Sequence, residues 1–88
     1  MARYRVELTS AAARELRKLD RQDADRVSAA IRKLEDDPRP HGATKLSGRG
    51  EYRIRVGDHR VIYEIDDTKV VVTVIKIGNR RDVYKGSW

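Results

Sequence analysis

Cysteine and phenylalanine are absent from this chain, and methionine and tryptophan occur once each. Without cysteine, disulfide bonds and thiolate metal sites are excluded. The core must therefore be built from Val, Ile, Leu, Ala and Tyr. We expect the 88 residues to form one domain, 1–88, which buries only about 60 to 65% of the surface that its unfolded chain exposes. Such a small core predicts a modest stability, which a tightly bound partner would raise.

Long apolar segments are also missing, and the chain opens Met-Ala-Arg-Tyr-Arg-Val-Glu. We therefore expect no signal peptide and no contact with a membrane, and predict a cytoplasmic protein. Positive charge is in excess, with 20 Lys and Arg against 14 Asp and Glu and a net charge of +6. This balance favours nucleic acid or an acidic protein as the partner.

The predicted elements follow in the order strand, two helices and further strands. Alternation over residues 3–8 predicts the first strand. Thr9-Ser10 offers an N-cap for a short helix through Leu19, and Asp20 is the predicted cap of a second helix. The second helix has apolar residues at three- and four-residue spacing and stops before Pro38. In the run 70–77, odd- and even-numbered positions are both mainly apolar. This pattern predicts a central strand that is covered on one face and partly shielded on the other. We therefore predict an α+β fold with a helical hairpin packed on an antiparallel sheet.

The segment 51–63 alternates with period two on both sides of a Gly-Asp pair, which predicts a β-hairpin with a type II′ turn. Such a turn would pair Val56 with His59, Arg55 with Arg60 and Arg53 with Ile62. Parity then places the guanidiniums of Arg53, Arg55 and Arg60 together on one sheet face, away from the core. Like charges that face each other across strands are unfavourable, and the planar guanidinium suits phosphate. The pattern indicates a face that binds a polyanion, and a solvated sheet face is the alternative.

Further candidates lie at the end of the central strand. An antiparallel central strand ends beside the hairpin turn, and Gly78 permits a sharp bend there. We therefore expect Arg80 and Tyr84 to join the three arginines.

Candidates for a proton acceptor are few. Glu51 and Glu64 share the face of the arginines by parity, and salt bridges to those arginines are the favoured interpretation for both. His59 lies on the core parity, where packing or capping is expected, and His41 lies in a loop rich in Pro and Gly. Neither histidine has a partner pattern for a metal, so no metal or other cofactor is predicted.

Five segments together resemble the RelE/ParE superfamily of toxins, on its RelE side. They are Lys45-Leu46, Tyr-Arg-Ile-Arg at 52–55, His-Arg-Val-Ile-Tyr at 59–63, Lys-Val-Val-Val-Thr-Val-Ile at 69–75 and Gly-Asn-Arg-Arg-Asp-Val-Tyr at 78–84. The resemblance spans essentially the whole chain. It implies the toxin of a type II toxin-antitoxin pair: a metal-independent, ribosome-dependent endoribonuclease that cuts messenger RNA in the A site and is held inactive by a cognate antitoxin. Contact with operator DNA is expected only through the antitoxin complex.

The resemblance also implies roles for individual residues. The implied catalytic residues are Arg53, Arg55, Arg60, Arg80 and Tyr84. Lys45 and Arg81 are the implied RNA-binding residues. The best-studied family pattern has lysines where this chain has Arg53 and Arg55, and several relatives have His at the position of Asn79. Arginine stays protonated, so it cannot serve as a general base.

Two other functions stay open at this point. A ParE-like inhibitor of DNA gyrase would bind its target without nuclease chemistry, but a protein-docking surface does not require this set of arginines and tyrosine. A non-catalytic module that only binds an antitoxin and acts as an operator co-repressor is not excluded by any feature of the sequence.

Overall fold

The fold is a helical hairpin packed on a five-stranded sheet, in a computed structural model that describes residues 3–46 and 50–79. The elements are β1 (Arg5–Leu8), α1 (Ser10–Lys18), α2 (Arg21–Lys33), β2 (Thr44–Lys45), β3 (Glu51–Val56), β4 (His59–Asp66) and β5 (Val71–Asn79). The strand order is β1-β5-β4-β3-β2. The predicted α+β fold is confirmed. Within the described ranges, no helix is long and apolar enough to cross a membrane.

The sheet is mixed, whereas the sequence analysis expected antiparallel pairing throughout. β1 pairs in parallel with β5, and the other neighbouring strands pair antiparallel. A parallel pair needs a long crossover connection, and the segment between β1 and β5 contains both helices and three strands. The first strand lies at one edge of the sheet, beside the interior strand β5, and β4 is the middle strand of the five.

Both helices begin at the predicted caps. The Thr9 hydroxyl accepts a hydrogen bond from the Ala12 amide at 3.1 Å, and the Asp20 carboxylate accepts one from the Asp23 amide at 2.8 Å. These bonds satisfy backbone donors that the first helical turn leaves without partners. Basic residues occupy the last turn of each helix, where they oppose the negative end of the helix dipole.

The core lies between the helices and one face of the sheet, as the hairpin parity predicted. Its buried side chains are Ala12, Val27, Ile31, Leu34, Ile54, Val61, Tyr63, Ile65, Val72, Val74 and Ile77. Tyr63 is fully buried, and its hydroxyl donates to the Pro38 carbonyl at 2.8 Å. Burial raises the pKa of Tyr63 to about 12. The Tyr63 phenol thus keeps a hydrogen-bond partner and stays neutral over the physiological range.

Strand β5 contains a β-bulge at Ile75. Ile62 pairs with Lys76 while the next residue, Tyr63, pairs with Val74, so Ile75 is an extra residue in β5. The parity of the strand therefore changes at this point.

The bulge explains why the run 70–77 is apolar on both parities. Val74 and Ile77 are three residues apart, yet both are fully buried in the same core. On the opposite face of the run, Val71, Thr73 and Lys76 are half-buried, in line with the partial shielding that was expected there. The Thr9 hydroxyl donates to the Ile75 carbonyl at 2.9 Å, so the residue that caps α1 also satisfies the bulge.

The expectation of a bend at Gly78 is also wrong. Gly78 pairs with Arg60 and Asn79 pairs with His59, so β5 runs straight through the glycine. The strand nevertheless ends beside the β3–β4 turn, as the antiparallel arrangement predicted.

The loop after α2 is fastened to the end of the sheet remote from that turn. Arg39 Nη2 lies 2.9 Å from Asp67 Oδ2, and Arg39 Nε donates to the Tyr52 hydroxyl at 3.0 Å. The Tyr4 hydroxyl donates to Asp67 Oδ1 at 2.6 Å. The hydrogen bonds from Arg39 and Tyr4 lower the pKa of the Asp67 carboxyl. Sequence reasoning did not identify this network, whose members are distant along the chain.

Candidate nucleic-acid interface

The hairpin of β3 and β4 has the predicted register. Val56 pairs with His59, Arg55 with Arg60 and Arg53 with Ile62. Gly57 has φ +61°, and the second turn residue has no positive φ, which is the pattern of a type II′ turn. Glycine adopts this conformation without strain, so the turn fixes which residues face each other.

Three guanidiniums lie on the sheet face opposite the core, as predicted, and we call Arg53, Arg55 and Arg60 the arginine face. Their exposure differs widely. Arg55 is exposed and Arg53 is half-buried, but Arg60 is only 2% exposed. Arg60 thus lies on the predicted face of the sheet, away from the core, but it is shielded from solvent there.

The register also places a small residue beside Arg60. Arg55, Arg60 and Gly78 form one row across β3, β4 and β5. Gly78 has no side chain, so Arg60 faces a like charge on one side only. A pocket of about 120 Å³ at this end of the sheet is lined by Arg55, Gly57, Asp58, His59 and Arg60. A buried guanidinium acts in a medium of lower polarity than water, where its interaction with an anion is stronger.

Lys45 does not join the arginine face. It lies exposed on the edge strand β2 and pairs with Tyr52, so the two side chains share the core side of the sheet. Thr44 is the β2 residue that pairs with Arg53 and shares its face. Three further predicted site residues, Arg80, Arg81 and Tyr84, lie outside the described residues.

The two candidate proton acceptors face each other at the far end of the same sheet face. Glu51 pairs with Glu64, four residues along each strand from the Arg55–Arg60 pair, which corresponds to about 13 Å. In the described ranges neither carboxylate forms an ion pair with the arginine face, so the salt bridges expected there are not found. The sheet face is thus basic at the hairpin turn and acidic at its other end.

His59 faces the helices, and the predicted packing role is confirmed. Its Nε2 lies 3.1 Å from Asp23 Oδ2 in the first turn of α2. Sequence reasoning did not identify Asp23 as a partner, because nothing local indicates which helix residue meets the hairpin turn.

Comparisons with known proteins agree on one family. The family model of the ParE toxin of the type II toxin-antitoxin system parDE matches residues 6–84. Toxin RelG of Mycobacterium tuberculosis is 32% identical over 84 residues, which cover 93% of this chain and 97% of that protein. The RelE-RelB complex of Pyrococcus horikoshii matches with a TM-score of 0.81 at 31% identity, over 91% of this chain and 97% of that one. The isolated RelE toxin of E. coli matches with a TM-score of 0.78 at 27% identity, over 92% and 90%.

Proposed function

This chain belongs to the RelE/ParE superfamily of type II toxin-antitoxin toxins, and from that premise we propose that it is a ribosome-dependent endoribonuclease that cleaves translated messenger RNA. One observation carries the proposal: the arginine face gathers three guanidiniums at one end of the sheet, and one of them, Arg60, is buried. Such an arrangement suits a phosphate whose charge increases during a reaction.

Cleavage of RNA by its own 2′-hydroxyl has four requirements. The hydroxyl must lie in line with the phosphate, its proton must be accepted, the doubly charged phosphorane must be stabilised, and the 5′-oxygen must be protonated. The arginine face supplies the third. A preorganised cation in a site of low polarity stabilises developing charge by several kcal/mol. In this account Arg60 contacts the scissile phosphate, and Arg53 and Arg55 neutralise the additional charge.

Roles for the remaining predicted residues are proposed from the family resemblance alone. Arg80 is proposed as a second clamp on the phosphate. Tyr84 is proposed either to stack on a splayed base or to transfer a proton. Lys45 and Arg81 are proposed to contact the RNA backbone, which adds affinity without sequence choice.

Dependence on the ribosome follows from the chemistry of arginine. A guanidinium has no acceptor and does not lose its proton at ordinary pH, so the arginine face cannot act as a base. Free RNA also lacks anything that holds the 2′-hydroxyl in line. We expect the ribosome to supply that alignment, which by itself can contribute a large share of the rate.

The proposed partner that restrains this activity is a cognate antitoxin. Solved complexes of RelE with RelB provide the precedent in related proteins. The net charge of +6 favours an acidic segment, and we propose that the antitoxin lays an apolar or acidic segment over the helical hairpin and the sheet. Binding to operator DNA would then occur only through that complex, and the protein would act in the cytoplasm.

A second function, inhibition of DNA gyrase without nuclease chemistry, has one specific observation in its favour: the matching family model is named for the ParE toxin. Two assays on the same purified protein separate the two functions. Toe-printing of a message in the presence and absence of translating ribosomes reports cleavage, and a supercoiling assay reports gyrase activity. We expect cuts only with ribosomes and unchanged supercoiling. Loss of supercoiling without mRNA cleavage would assign the gyrase function, and neither effect would favour the co-repressor.

A further inference from the structure

The turn that carries the arginine face is attached to helix α2 on the other side of the sheet. His59 and Arg60 are neighbours on β4, so their side chains point to opposite faces. The His59 ring is 14% exposed, and its Nε2 lies 3.1 Å from Asp23 Oδ2. The same stretch of backbone is therefore tied to the helix on one side and presents Arg60 on the other.

A second contact lies over the turn itself. Arg26, one helical turn after Asp23, places Nη1 3.8 Å from Asp23 Oδ1. A Cβ atom added to Gly57 would lie 3.7 Å from Arg26 Nη2, so this guanidinium lies against the turn backbone. Asp23 and Arg26 thus both lie against the turn on the helix side.

The helix end that makes this contact is itself fixed. The Asp20 carboxylate accepts from the Asp23 amide at 2.8 Å and so defines the first turn of α2. On the ring, Nδ1 is buried and has no hydrogen-bond partner within residues 3–46 and 50–79. Within the described residues, the ring is therefore held by one polar contact, the hydrogen bond that Nε2–H donates to the Asp23 carboxylate.

We infer that His59 and Asp23 are positioning residues that set the location of Arg55 and Arg60 in the site of the proposed ribonuclease, an inference that rests on that proposed function. Arg55 and Arg60 are the pair next to Val56 and His59 at the turn, so a shift of the turn moves both guanidiniums. Catalytic groups must be held within about 0.5 Å of the productive geometry, and a displacement of about 1 Å can cost a hundredfold in rate.

The account predicts different outcomes for deletion and for conservative replacement. His59→Ala and Asp23→Ala remove the contact. His59→Gln keeps an N–H group within reach of the carboxylate, and Asp23→Asn keeps an acceptor oxygen. Asp25→Ala is the matched control, because Asp25 is an exposed acidic residue on the same helix.

The experiment measures single-turnover cleavage of ribosome-bound mRNA over a range of toxin concentrations, with the melting temperature as the test of folding. We expect the two alanine variants to lower the maximal rate about tenfold or more, with less than about a twofold change in the half-saturating concentration. The Gln and Asn variants should stay within about threefold of the parent. Alanine variants that cleave at the parental rate would overturn the inference, and so would a Gln variant as slow as His59→Ala, which would assign proton transfer to the ring.

Amide hydrogen exchange in the free protein provides a readout that does not depend on cleavage. Exchange at residues 55–60 should accelerate about tenfold in the alanine variants and remain near the parental rate in the Gln and Asn variants and in Asp25→Ala. If the parent cleaves no mRNA, the proposed function fails while this measurement still decides whether the anchor exists. Unchanged exchange in both alanine variants would refute the inference that the His59–Asp23 contact positions the turn.

Discussion

Arg60 lies directly opposite Arg55 on the neighbouring strand, and only Arg60 is buried. Two like charges in this position destabilise the hairpin, and burial of one of them adds a desolvation cost. An anion bound at this point would offset the repulsion between the two guanidiniums. The proposed phosphate chemistry therefore depends most on this pair.

Neutralising the acidic end of the sheet face is predicted to leave cleavage intact. Glu51 and Glu64 oppose each other about 13 Å along the strands from the Arg55–Arg60 pair, too far to take a proton from an RNA held there. Glu51→Gln and Glu64→Gln should each cleave ribosome-bound mRNA within about threefold of the parent. Each should also stabilise the fold by about 0.5 kcal/mol in urea unfolding, because a like-charge pair is removed. A rate loss of a hundredfold in either variant would instead identify that carboxylate as the base.

Removing the Thr9 hydroxyl is predicted to destabilise the fold more than an ordinary surface change. Thr9→Val keeps the shape of the side chain but loses the cap of α1 and the hydrogen bond to the bulge at Ile75. The two losses together correspond to about 2 kcal/mol, or roughly a 10 °C fall in melting temperature. Thr44→Val, on the exposed edge strand β2, is the control and should change stability by less than about 0.5 kcal/mol. Equal shifts in the two variants would show that the hydroxyl of Thr9 has no special role.

The Arg39–Asp67 contact is predicted to make stability depend on pH in the acid range. Hydrogen bonds from Arg39 hold the pKa of the Asp67 carboxyl below its ordinary value, so the ionised form favours the folded state. This contribution is present above the unfolded pKa of about 4 and is lost as the pH falls through the lower folded value. Asp67→Asn should therefore be less stable than the parent at pH 7 by urea unfolding, and the difference should close in acid. Asp25→Asn is the control, and a difference that persists unchanged at low pH would contradict the assignment.

Local rules account for most of the fold that the sequence predicted. Thr9 and Asp20 accept hydrogen bonds from amides three residues later, and Gly57 needs a positive φ that side chains resist. Period-two alternation then fixes the hairpin faces on both sides of the turn. Because each signal depends on residues within a few positions of one another, the helix starts, the turn type and the arginine face were all predicted.

Long-range contacts account for what the sequence did not reveal. The parallel pairing of β1 depends on where the chain returns after the helices, and the bulge at Ile75 interrupts a parity that was assumed to be uniform. The burial of Arg60 and the His59–Asp23 contact depend on which distant residues come together in the fold. No local pattern encodes either contact.

The most direct test of the central claim is the single-turnover cleavage rate of ribosome-bound mRNA at saturating toxin for a series at Arg60. Because Arg60 is buried, Arg60→Met is used to keep most of the apolar volume while removing the charge, and Arg60→Lys keeps the charge without the forked donors. Arg5→Ala, at the other end of the same sheet, is the control. The melting temperature of each variant is measured to test whether it is folded.

The account predicts that Arg60→Met lowers this rate by about a hundredfold or more, the equivalent of roughly 3 kcal/mol of transition-state stabilisation. The rate of Arg60→Lys should fall between those of the parent and Arg60→Met, and Arg5→Ala should match the parent. A folded Arg60→Met variant that cleaves at the parental rate would contradict the claim that the arginine face performs phosphate chemistry.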